Sequence, residues 1–233
     1  MTKSNSKAEL FHAMGLGPVW ELKNLANTKA GEAVVPQAAS SDLPSLDQLR
    51  STVAACRACG LCETRTQTVF SDGVPYAPLM VVGEAPGAEE DASGLPFVGR
   101  AGQLLDRMLT AVGANRASNV YIANVLKCRP PGNRNPEVAE IEKCSPFVFQ
   151  QIAVSQPKVL LLVGRFAIQT LLGSKKSVGE LRGQLHHVTV QGRDIPAVVT
   201  YHPAYLLRRP EEKAKVWDDL LLLKQQDFTQ GSA

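Results

Sequence analysis

Four short, almost unbroken apolar runs constrain this chain most: residues 79–82, 120–125, 159–163 and 197–201. Each has the length of a strand and is built from aliphatic or β-branched residues. Such runs, without polar alternation, suit strands buried on both faces, the condition of a parallel sheet covered by helices. Helical patterns fill the gaps. Within 102–112, Leu104, Leu105, Met108, Leu109 and Val112 share one stripe, and Gly113 follows as a stop. Residues 137–152, 166–172 and 213–225 read as further helices. The expected fold is α/β, a three-layer αβα sandwich with a central four-stranded parallel sheet. Residues 185–190, followed by Gly192, read as a small extra hairpin at the periphery.

In sheets of this kind a ligand sits in the crevice outside the carboxyl ends of the strands. Those ends carry Gly83-Glu84-Ala85-Pro86-Gly87, then Asn124, then Gly164-Arg165, then Tyr201-His202-Pro203. A carboxylate, a carboxamide and an imidazole are thus expected on one edge.

The length of 233 residues fits one domain with an appendage. A hydrophobic content of 44% with 20% charged residues excludes wholesale disorder. No apolar run approaches the roughly 18 residues that cross a bilayer, so no membrane partner is expected. The first residues have no stretch suited to a secretory signal, so a cytoplasmic location is expected. The net charge of +3 permits a polyanionic partner without requiring one. Residues 27–43 are rich in Ala, Ser and Pro, the composition of a flexible linker. Residues 1–48 therefore read as an N-terminal extension, and 49–233 as the folded domain. The extension is read first as a tail, with a docking peptide for a protein partner as the alternative. A monomer is expected.

The five cysteines carry a second signal. In a reducing compartment they argue for metal or redox duty over disulfides. Cys56 and Cys59 form a C-x2-C pair, and Cys128 and Cys144 supply two more thiolates, enough for zinc or an iron–sulfur cluster. Cys62 extends the first pair towards a ferredoxin run. The fourth cysteine of that run is missing, because Thr66 and Gln67 stand there. Spacing alone leaves zinc and [4Fe–4S] open.

Three longer motifs narrow the reading. Residues 83–91 (GEAPGAEED) and 94–102 (GLPFVGRAG) resemble the first motif of family 4 uracil-DNA glycosylases. Residues 127–134 (KCRPPGNR) and 202–207 (HPAYLL) resemble its other two signatures, in order and at suitable separations. The resemblance runs from about Cys56 to the C-terminal helix. It implies a DNA-repair hydrolase that removes uracil from single- or double-stranded DNA, and a [4Fe–4S] cluster on Cys56, Cys59, Cys128 and Cys144. Cys62 is then a bystander. A related type that crosslinks to its DNA carries a reactive histidine after the second motif; residues 131–136 contain none. Ala204 stands where the family often has Ser.

Excision of uracil breaks the C1′–N1 bond and leaves a cationic sugar and a uracil anion. Such chemistry needs a flipped base, an aligned water and donors on the leaving oxygens. Glu84 is the candidate for water positioning and cation stabilisation, with helix capping as its plainer alternative. The resemblance implies that Phe97 stacks on the flipped base, with a core phenylalanine as the alternative. Asn124 can donate to O4 and accept from N3–H, and His202 can donate to the oxygen on which charge develops. Asn133 is a further catalytic candidate, assisting water or backbone. Glu90 and Ala85 are expected to shape the pocket wall. Leu206, Leu207 and Arg208 are read as a DNA-binding wedge with a cation, with a buried helix turn as the alternative. Lys127, Arg129 and Arg134 are candidate phosphate contacts. The rival reading from another class is a non-catalytic nucleic-acid-binding protein with a zinc or iron–sulfur module; a redox iron–sulfur protein is a third.

Overall fold

The computed structural model describes residues 43–228. Its strands are β1 (Asp72–Gly73), β2 (Leu79–Gly83), β3 (Val120–Asn124), β4 (Val159–Val163), β5 (Leu185–Val190) and β6 (Arg193–Thr200). They form one sheet in the order β1-β3-β2-β4-β6-β5. The inner strands are parallel: β2 pairs with β3 and β4, and β4 with β6. Both edges are antiparallel, β1 on β3 and β5 on β6.

The expected four-stranded sheet is therefore corrected to a six-stranded mixed one. The apolar runs do mark its parallel part. Hydrophobic pattern missed β1 because two residues, Asp72 and Gly73, carry no period at all. The hairpin between β5 and β6 turns through Gln191 and Gly192, whose φ values of 49° and 76° suit a tight two-residue connection. That turn pulls the exposed Arg193 and Asp194 into β6, upstream of its apolar part.

The helices are α1 (Leu46–Ala55), α2 (Leu61–Thr64), α3 (Ala88–Ser93), α4 (Arg100–Thr110), α5 (Val138–Ser155), α6 (Arg165–Leu172), α7 (Val178–Leu181), α8 (Pro203–Arg208) and α9 (Lys213–Lys224). Two separate hydrophobic clusters cover the sheet. Met80 and Val82 of β2 pack with Leu49 and Val53 of α1, Val148 and Ile152 of α5 and Ile168 of α6. Leu79 and Val81 pack with Leu105 and Leu109 of α4, Leu206 of α8 and Val216 and Leu220 of α9. The period of two along a strand sends alternate side chains to opposite faces, so one pentapeptide serves both clusters. Each fully buried Leu or Val contributes about 1.5–3 kcal/mol, and β2, β3 and β4 are buried at every position.

α1 begins at Leu46 because Ser45 and Gln48 close a reciprocal capping box, with Ser45 N–H donating to Gln48 Oε1 at 2.7 Å. Residues 1–42, which hold most of the expected extension and linker, lie outside the described residues. Among the described residues no helix is long and apolar enough to cross a membrane.

Candidate active site

β2 and β3 end side by side, with Gly83 paired to Asn124. Beyond that edge opens a cavity of about 530 Å³, lined by Glu84, Ala85, Glu90, Phe97, Asn124, Asn133, His202 and Arg208 with their neighbours. Its size is that of a small-molecule site. The side chains read from the strand ends are brought together here.

Asn124 is buried at 2% exposure, and its Oδ1 has no hydrogen-bond partner among the described residues. An unpaired buried acceptor costs about 1–3 kcal/mol, so it is tolerated where a ligand can complete it. Gly83 makes the arrangement possible. A Cβ there would lie 2.4 Å from Asn124 Oδ1 and 2.5 Å from Phe97 Cζ. Only glycine lets the carboxamide and the ring share this corner.

Phe97 is buried, and its φ of 55° lies in the left-handed region that a bulky residue seldom adopts. Its ring faces that of His202 at a centroid separation of 5.6 Å and 29° between planes. His202 caps α8: its Nδ1 accepts from the Ala204 N–H at 3.1 Å. In the neutral ring the proton therefore sits on Nε2, which is free to donate. Burial pushes the imidazole down to about 4, reinforced by the Arg208 cation and opposed by Glu90. At neutral pH His202 is an uncharged donor.

Glu84 follows β2 directly. Burial raises its carboxyl to about 7, against the lowering field of Arg165 at the start of α6. A carboxylate poised there can accept a proton from water at neutral pH. Desolvation thus moves the two groups oppositely, keeping His202 neutral and making Glu84 more basic.

Glu90 lines the cavity, but its carboxylate is spent on backbone. Oε2 accepts from Gly87 N–H at 3.0 Å, and Oε1 from Val98 and Gly99 N–H at 3.1 and 3.2 Å. It shapes the wall by holding the loop that carries Phe97. Ala85 lines the cavity beside Glu84. Asn133 lines the cavity and is exposed, with its Oδ1 accepting from Arg129 Nε at 2.7 Å.

Two expectations are corrected. Leu206 is only 1% exposed and belongs to the core cluster beneath α8, because the helix turns it inward against α4 and α9; it cannot be a DNA wedge. Leu207, one residue on, is 38% exposed, and Arg208 reaches the cavity rim. Lys127 is likewise no phosphate contact. It is 1% exposed and its Nζ donates to the Asn124 backbone oxygen at 2.6 Å and to Gln151 Oε1. Arg134 is held by Glu140 through both carboxylate oxygens, at 2.9 and 2.6 Å. Sequence reasoning gives Gly83 no role beyond its place at the strand end, although it stands opposite Asn124, and it passes over Arg116, which holds the Phe97 carbonyl.

The cysteines converge elsewhere. Cys56, Cys59, Cys62, Cys128 and Cys144 line one cavity with Val53, Lys127 and Phe147 between α1, α2, the loop after β3 and α5. Arg65 Nη1 donates to Cys128 Sγ at 3.0 Å and Lys127 N–H to Cys144 Sγ at 3.3 Å. Among the described residues no three His, Cys, Asp or Glu side chains close round a single ion. Thiolates are the donors that zinc and iron–sulfur centres take, so these thiols suit such a group by chemistry. All five are free of disulfides.

The family model of the uracil DNA glycosylase superfamily matches residues 70–221, a span that includes Glu84, Phe97, Asn124 and His202. A type-4 uracil-DNA glycosylase of Archaeoglobus fulgidus is 39% identical over 181 residues, covering 76% of this chain and 90% of the relative. The chain belongs to the type-4 uracil-DNA glycosylase family. Relatives of the same designation from Thermotoga maritima and Pyrobaculum aerophilum are 42% identical over 157 residues and 38% over 181. They cover 67% and 76% of this chain, and 80% and 92% of the relatives. In this family member the superfamily match begins after Cys56 and Cys59, so those two thiols stand outside the superfamily span.

Proposed function

We propose that the chain is a monofunctional uracil-DNA glycosylase. It flips uracil out of single- or double-stranded DNA, hydrolyses the N-glycosidic bond and leaves an abasic site. The observation that carries this reading is the unpartnered Asn124 Oδ1 in one cavity with a neutral His202 and a basic Glu84. The flipped base stacks on Phe97. Asn124 accepts from N3–H and donates to O4, a pairing that cytosine reverses. As the C1′–N1 bond breaks, its electron pair leaves with N1, and His202 Nε2–H donates to the uracil oxygen that gains charge. The Glu84 carboxylate faces the sugar cation, aligns a water and takes its proton as oxygen bonds to C1′. Arg208 at the rim and the exposed Leu207 meet the DNA; Asn133, tied to Arg129, acts on the loop that lines the cavity.

Cys56, Cys59, Cys128 and Cys144 would hold a [4Fe–4S] cluster. When bound, it would supply iron–thiolate bonds that tie the segment after α1 (Cys56, Cys59) to the loop after β3 (Cys128) and to α5 (Cys144), with no redox step in the reaction. Residues 49–233 form the catalytic part of a cytoplasmic monomer; 1–48 extend it as a tail, with docking of a protein partner as the alternative. The test is a uracil-containing oligonucleotide, incubated with the protein, treated with alkali and run on a gel. Cleavage only after alkali is expected, with free uracil released. Binding without base release would leave a nucleic-acid-binding protein instead.

A further inference from the structure

The loop that carries Phe97 is strained, and something must hold it. A non-glycine residue in the left-handed region costs on the order of 1–3 kcal/mol and persists only where its surroundings over-determine it. Arg116, far along the chain, supplies that hold. Its Nη2 donates to the Phe97 carbonyl at 3.1 Å and its Nη1 to the Pro96 carbonyl at 3.3 Å. The guanidinium is itself braced by two carboxylates. Asp72 of β1 takes Nη1 at 2.6 Å, and Asp106 of α4 takes Nε and Nη2 at 2.9 and 2.7 Å. One planar cation thus joins the edge strand, the helix and the loop through five hydrogen bonds. Gly102 of α4 also lets the same carbonyl approach: a Cβ there would lie 1.8 Å from Phe97 O.

We propose that Arg116 is a positioning residue for base recognition, acting only through Phe97. It rests on the reading of Phe97 as the stacking platform. The fork locks the Phe97 backbone, and so fixes the ring beside Asn124 and His202. Lysine cannot replace it. A single ammonium can keep a carboxylate partner, but it lacks the planar fork that reaches two carbonyls and two acids at once. The edge strand β1, only two residues long, then has a function: it places Asp72 where it can brace Arg116.

The test is a double-mutant cycle read in single-turnover excision and in substrate concentration at half saturation. Arg116→Lys keeps the charge between Asp72 and Asp106, and its thermal unfolding checks that the fold survives. Misplacement of a recognition group by about 1 Å costs on the order of 10²-fold. Arg116→Lys should therefore lose about 10–100-fold, chiefly as a weaker half saturation. Made in a Phe97→Ala background, the same change should cost less than about threefold, because the ring it positions is gone. Gly102→Ala should reproduce the loss by pushing on the same carbonyl. If Arg116→Lys costs as much with Phe97 absent as with it present, Arg116 serves general structure and the proposal is overturned. A folded Arg116→Lys with normal excision overturns it too. If Phe97→Ala alone excises uracil normally, the stacking assignment itself fails, which is a separate result.

Discussion

The cavity beyond β2 and β3 and the cavity lined by the cysteines are finished to different degrees. At the first, protein groups alone set the geometry. Glu90 takes three backbone N–H groups, His202 Nδ1 is occupied by its own helix, and the Phe97 carbonyl is gripped by Arg116. What is left open there, Asn124 Oδ1 and the His202 Nε2 proton, faces the cavity. At the second, five thiols surround a space and no three of them close on an ion. Under the proposed reading, a [4Fe–4S] cluster completes that site. The contrast separates chemistry from integrity: the first region can lose its reaction while keeping its fold, and the second should fail the other way round.

The largest expected effect breaks the second region. Protein purified without oxygen should be brown, and Cys59→Ala should lose the colour together with most of its folded population, since metal binding there is also folding energy. Cys62→Ala should keep both, because the other four thiols suffice. Colourless, fully active protein holding stoichiometric zinc would sink the cluster assignment. At the first region, His202→Ala loses the cap of α8, so it should cost about 0.5–2 kcal/mol in stability yet stay folded and keep its grip on uracil-DNA. Its single-turnover rate should fall about 10²–10³-fold, the usual consequence of deleting one donor to developing charge. An unchanged rate removes His202 from the reaction.

A pH effect within the first region comes next. In the proposed reaction Glu84 acts as a carboxylate, and its raised value of about 7 means the rate should climb about tenfold per unit below pH 7 and level off above it. His202, held near 4, stays neutral throughout and adds no falling limb on the alkaline side. The same shift has a stability sign. A carboxyl raised in the folded state keeps a proton that the unfolded chain has lost, so stability falls as pH rises from about 4.5 to 7 and stays lower above that. The shift corresponds to up to about 3 kcal/mol. Glu84→Gln should thus unfold at higher temperature than the parent at pH 8, with little difference at pH 4, while losing activity. A pH-independent difference between the two melting curves would refute the buried-carboxylate account.

Legibility in the sequence followed how local each signal was. The parallel strands and the residues at their ends could be read because buried runs and their first polar neighbours are contiguous. Glu84, Asn124 and His202 were found that way. β1 could not be, since two polar residues gain their pairing only from β3. Arg116 was missed for a related reason. Its partners Asp72, Pro96, Phe97 and Asp106 are scattered over the chain, and an arginine in a loop looks like any solvated cation. Lys127 was misread because its charge suggested phosphate, whereas backbone and amide oxygens satisfy it inside the core. The cysteine set was legible as a set, but Cys62 lining the same cavity is a tertiary fact.

The smallest expected effect lies at two adjacent leucines. Both belong to the turn after His202, yet α8 rotates them about 100° apart, a consequence of 3.6 residues per turn. Leu206 points into the core at 1% exposure and Leu207 outward at 38%. Leu206→Ala should cost about 2–5 kcal/mol in stability, the range for emptying a buried aliphatic site. At temperatures where it remains folded, its excision of uracil from single strands should be near normal. Leu207→Ala should change stability by less than about 0.5 kcal/mol, as surface changes do. Its effect belongs on duplex DNA, where a base must first be unstacked and an apolar side chain can fill the gap. A few-fold loss on duplex uracil with none on single-stranded uracil is expected. Equal rates on both substrates would mean that Leu207 only covers the surface, and that Arg208 at the cavity rim carries the DNA contact without it.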